Sequence, residues 1–78
     1  MEKRVTINLN DFSKAKKFTD EVIRFESDID ILRGRYILDA KSALGIFTID
    51  LSFPVEVEIH SDDEGEIKRF YEVMEEFK

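Results

Sequence analysis

The side chains in this 78-residue sequence that could do chemistry are few and widely spaced. There is no cysteine, which removes disulfides, thiolate metal sites and a thiolate nucleophile together. The single histidine, His60, closes an alternating stretch and has no second histidine to make a metal pair, so it reads as a strand-end surface residue. Asp11 and Ser13 stand at the head of an amphipathic run, where short polar side chains can cap a helix by accepting from its free N–H groups. In a reactive role Asp11 would form an acyl phosphate. That chemistry relies on a divalent metal to screen like charges, and neighbouring Asn8 and Asn10 supply no second carboxylate. Ser42 can cap a short helix running through Ala43, Leu44, Gly45, Ile46 and Phe47. A phosphate on it would add roughly −1.5 to −2 charge where helix N–H groups can receive it.

On that short helix Leu44 and Phe47 form one apolar pair, and Ala43 and Ile46 another; both cannot face the same sheet. Whichever pair faces away from the sheet is a candidate docking anchor. Lys14, Lys16 and Lys17 make the one basic cluster, a pattern that suits a solvated helix face. The acidic run Asp62, Asp63, Glu64 and Glu66 lacks the spacing and closing bidentate glutamate of a calcium loop, so capping and dipole stabilisation account for it better. Three scattered glycines build no phosphate-binding loop. No metal and no cofactor is expected.

Charge narrows the partners further. Residues 1–41 carry nine Lys/Arg and eight Asp/Glu, and residues 42–78 three and ten, so the net charge of −6 lies in the second half. A nucleic-acid binder needs a basic footprint, and this balance argues against one. No stretch approaches the ~20 apolar residues of a membrane span, and no long apolar run follows the first residues as in a secretory signal. A single cytoplasmic domain, residues 1–78, is the expectation, with no membrane association.

The elements that must position these groups follow from periodicity. Val5-Thr6-Ile7-Asn8-Leu9 alternates like a half-buried strand. Ala15, Phe18, Val22 and Phe25 step by threes and fours along one helical face. Ile29 and Ile31, then Tyr36 and Leu38 across Arg33-Gly34-Arg35, predict a hairpin in which Gly34 takes positive φ. Val55-Glu56-Val57-Glu58-Ile59 is a strand, and Ser61-Asp62-Asp63 cap a last helix with Ile67, Phe70, Val73 or Met74, and Phe77 inward. The order is β-α-β-β-α-β-α, with the second helix short. Such a chain buries its apolar faces best as an α+β, two-layer open-faced sandwich: a four-stranded antiparallel sheet with helices on one side and water on the other.

This order, together with Phe25-Glu26-Ser27-Asp28-Ile29-Asp30-Ile31 and Asp39-Ala40-Lys41-Ser42-Ala43-Leu44-Gly45-Ile46-Phe47, resembles the HPr phosphocarriers of the bacterial sugar phosphotransferase system. The likeness runs from about Val5 to Phe77. It implies strand order 1-4-2-3. It aligns Ser42 with the family's regulatory serine and Leu44 and Phe47 with its exposed partner-binding patch. Counting back from the Lys-Ser stretch, the family's acceptor histidine, arginine and proline fall on Asp11, Ser13 and Lys14, so the transfer residues are missing. A phosphohistidine carrier needs an imidazole nitrogen that attacks phosphorus reversibly and later leaves. The expectation is a non-enzymatic, HPr-like regulatory or protein-binding module. Ser42 is its candidate phosphorylation site, and Ala43, Leu44, Phe47, Ser13, Lys14 and Lys17 are its candidate contacts. Partners implied by the resemblance are a kinase, a transcriptional regulator or another phosphotransferase-system protein. The alternatives are a carrier with an altered acceptor, Asp11 or Ser42, and an accessory domain with an unrelated partner.

Overall fold

The computed structural model describes residues 3–42, 46 and 50–78. Four strands, β1 (Arg4–Ile7), β2 (Asp28–Arg33), β3 (Tyr36–Asp39) and β4 (Val55–His60), form one antiparallel sheet in the order β1-β4-β2-β3. Two helices, α1 (Phe12–Val22) and α2 (Glu64–Met74), pack on one side, and a 3-10 turn, Glu75–Phe77, ends the chain's regular structure. The segment expected to form the short helix lies outside the described residues, apart from Ile46, which is buried.

Register explains the two faces. Val5 stands opposite Val57, Ile7 opposite Val55, Ile29 opposite Ile59, and Ile31 between Val57 and Leu38, so the alternating apolar side chains share one face. Onto it α1 lays Ala15, Phe18 and Val22, and α2 lays Phe70 and Met74. Phe18 meets Phe77 edge-on at 5.7 Å, and Asn8 N–H donates to the Phe77 carbonyl at 2.7 Å, fastening the C-terminal turn to the end of β1. Each fully buried side chain of this size stabilises by ~1.5–3 kcal/mol relative to exposure. Thr19 is the one polar side chain buried among the described residues, and its hydroxyl donates back to the Lys16 carbonyl at 2.8 Å.

The structure differs from the sequence reading in three places. β1 stops at Ile7, and Leu9 is buried from the loop beyond it. α1 stops at Val22, yet Phe25 is still buried, because Phe70 packs edge-on to its ring and the Arg69 guanidinium lies 4.2 Å above it. Tyr36 has the inward parity but is 67% exposed, since it stands at the hairpin end opposite Arg33. The hairpin turn itself is as expected: Gly34 has φ +57, a conformation that strains any side chain.

Candidate functional site at the start of the first helix

The loop after β1 delivers Asp11 to the start of α1 in extended backbone (φ −129, ψ 132). Its Oδ1 accepts from Ser13 N–H at 2.8 Å, and its carbonyl accepts from Ala15 N–H at 3.0 Å. Asp11 is thus the N-cap, and Ser13 contributes its backbone amide. Both are exposed. The lysines that follow are largely paired within the fold. Lys17 Nζ lies 2.8 Å from a Glu76 carboxylate oxygen, and that hydrogen bond, with the attraction of the same carboxylate, raises its pKa. Lys16 reaches Asp20 at 3.3 Å one turn on, whereas half-buried Lys14 pairs with no described residue.

His60 is far from this cap. Ile7, just before the loop to Asp11, faces Val55, and His60 ends β4 five residues later, roughly 16 Å further along the strand. There its Nε2 lies 2.7 Å from Asp30 Oδ2, and Asp28 stands opposite it in the register. On this open face Arg4, Glu58, Asp30 and Asp39 form a lateral row across all four strands, with Arg4 Nε 3.2 Å from Glu58. Among the described residues no group of three histidine or carboxylate side chains is arranged to hold a metal ion.

Ser42 lies near the other end of α1. Its N–H donates to the Asp39 carbonyl at 3.0 Å, and the adjacent Lys41 Nζ donates to the Phe25 carbonyl at 2.7 Å, just past the C-terminus of α1. Ser42 is exposed, and so is Ile23, the C-cap of α1, at 57%. Asp11 and Ser42 are therefore separated by about the length of an 11-residue helix, ~16 Å. They do not form one site. Ala43, Leu44 and Phe47, the expected docking contacts, lie outside the described residues.

A polar clamp near Ser42 escaped sequence reasoning. Glu66 Oε1 accepts from Glu26 N–H at 3.0 Å, Ser27 N–H at 3.1 Å and Ser27 hydroxyl at 3.0 Å, while Arg69 lies 3.2 Å from Oε2 and donates to the Arg24 carbonyl at 3.1 Å. Burial pushes the Glu66 pKa up, but the bonds from Ser27 and Glu26 and the Arg69 charge outweigh it and hold the carboxyl below its ordinary value. Asp63-x-x-Glu66 has capping-box spacing, which would send Glu66 back to Asp63 N–H. Ser61 Oγ already accepts from that N–H at 3.0 Å, leaving Glu66 free to reach across to the loop.

No protein-family model matches the chain, and no curated protein does. Among solved structures, the crystal structure of HPr-C-His from Thermoanaerobacter tengcongensis is similar, with a TM-score of 0.72 and 26% identity over 92% of this chain and 90% of that one. This chain brings to the match its four-stranded sheet, in the order β1-β4-β2-β3, and its two long helices. The fold is that of HPr. In this HPr-like chain the start of α1 holds a capping carboxylate, and no described helix is long and apolar enough to cross a membrane.

Proposed function

We propose that this HPr-like chain is a non-enzymatic regulatory or protein-binding module that does not carry phosphohistidine. The observation that carries the reading is the state of Asp11: in the place where the HPr resemblance puts an acceptor imidazole, a carboxylate is occupied as the α1 N-cap. Capping suits both its charge and the helix dipole. The sole histidine is tied to Asp30 at the opposite end of the sheet. The module works in the cytoplasm by presenting the Ser42 segment, with Leu44 and Phe47 as anchors, beside the C-terminal end of α1. In support, Ile23 is exposed at that end of α1, and the Lys41–Phe25 link ties the residue before Ser42 to it. Phosphorylation of Ser42 would switch that surface by adding charge at its edge. The partner is a protein: a kinase, a transcriptional regulator or a phosphotransferase-system component.

Incubating the chain with an HPr serine kinase and labelled ATP tests this reading. The expected product is an acid-stable label lost in Ser42→Ala. A Leu44→Ala/Phe47→Ala chain should fold normally yet lose its affinity for the kinase. Absence of label from Ser42 together with undiminished affinity of the double variant would refute the assignment.

A further inference from the structure

The tip of the β2–β3 hairpin combines exposed apolar surface with uncommitted positive charge. Tyr36 and Ile37 are each 67% exposed, and Phe53 is 55% exposed. Arg33 joins Tyr36 and Phe53 into one patch: it faces Tyr36 across the hairpin, and its guanidinium lies 4.9 Å from the centre of the Phe53 ring. Arg35 follows in the turn and is exposed. Arg4, Arg24 and Arg69 each stand against a carboxylate, but neither Arg33 nor Arg35 forms an ion pair with a described residue. Arg33 makes only a long donation, 3.5 Å, to the Pro54 carbonyl. The acidic group within its field, Asp50, is engaged by the hydroxyl and amide of Ser52.

A guanidinium lying over an aromatic ring keeps its edge N–H groups for a carboxylate, which it can grip with two bonds. Arginine and aromatic side chains are also the types enriched at protein interfaces. In a chain of net charge −6, a local pair of unpaired arginines would steer an acidic partner to this end and repel it elsewhere. We propose that the hairpin tip, formed by Arg33, Arg35, Tyr36 and Phe53, docks an acidic segment of a protein partner. A carboxylate of that segment engages the arginine pair, and an apolar side chain packs against Tyr36 and Phe53. Stacked bases of a single-stranded nucleic acid could meet the same aromatic rings, but two cations neutralise little phosphate. The surface shares no residue with the Ser42 segment and does not rest on the regulatory reading.

The test is a random-peptide display selection against the full chain, followed by fluorescence titration of the enriched peptides. Expected are sequences with Asp or Glu flanking an aromatic or leucine, and amide chemical-shift changes confined to residues 33–37 and 53. Arg33→Glu/Arg35→Glu should weaken binding by about 10-fold or more. Arg35→Glu alone, in an exposed turn, should weaken it several-fold and keeps the test valid if the double variant does not fold. Leu44→Ala/Phe47→Ala should leave peptide binding intact. Enriched peptides without acidic residues, or acidic peptides whose affinity survives Arg35→Glu, would overturn the proposal. So would shifts at residues 33–37 produced by oligouridylate and not by peptide.

Discussion

Replacing Glu66 by alanine removes three acceptor contacts to the loop between α1 and β2 and an ion pair with Arg69 one turn along α2. A hydrogen bond to a charged group contributes ~1.5–3 kcal/mol. The Glu26 amide is exposed and can turn to water, so only the half-buried Ser27 amide and hydroxyl count fully. A net loss of ~2–3 kcal/mol is therefore expected, against a total of only ~3–5 kcal/mol for a core of this size. For a domain of 60–100 residues that corresponds to a fall in Tm of roughly 10–20 °C. Circular dichroism melting at neutral pH measures it. The pH dependence follows from the lowered pKa: the stabilisation is present above the ordinary carboxyl value of 4.5 and disappears as pH falls through the lower folded value. The gap between the native chain and Glu66→Gln should thus narrow on acidification below that value. A Glu66→Ala chain melting within a degree or two of the native one would refute the clamp.

Other substitutions probe other parts of the account. Asp63→Ala removes the α2 N-cap, whose Oδ1 accepts from Gly65 N–H at 2.9 Å, and should cost ~1 kcal/mol in urea unfolding, with Asp63→Asn close to neutral. Gly34→Val should cost ~1–2 kcal/mol through backbone strain alone, because no heavy atom lies within 4 Å of an added Cβ, while Gly34→Asn should be milder. Phe18→Ala, opening a cavity against Phe77 beneath α1, should cost ~3–5 kcal/mol and leave much of the chain unfolded at 25 °C by one-dimensional NMR.

Much of this architecture was legible before any coordinates. Val55 to Ile59 alternates without interruption, and in the sheet Val55, Val57 and Ile59 are buried while Glu56 is exposed. The α1 stripe of Ala15, Phe18 and Val22 was equally plain, because a helical period admits one inward face. Strand order was not readable from periodicity, which says which face a residue takes but not which strand lies beside it; the order 1-4-2-3 came through the HPr resemblance. The Glu66 clamp was hidden for a related reason. It joins residues about 40 positions apart, and its local spacing pointed to a capping box that Ser61 had already pre-empted. At the candidate site, a helix cap at Asp11 or Ser13 was visible from residue type and position, and the structure decides for Asp11. The separation of Asp11 from Ser42 required the fold.

Phosphate incorporation into the native chain and Asp11→Asn, read by intact mass after incubation with phosphoenolpyruvate and the phosphotransferase system's first enzyme, tests the central claim most directly. Asparagine caps as well as aspartate but cannot form an acyl phosphate. The account predicts that neither protein gains a phosphoryl group and that the two melt alike. A phosphoryl group gained by the native chain and absent from Asp11→Asn would contradict it.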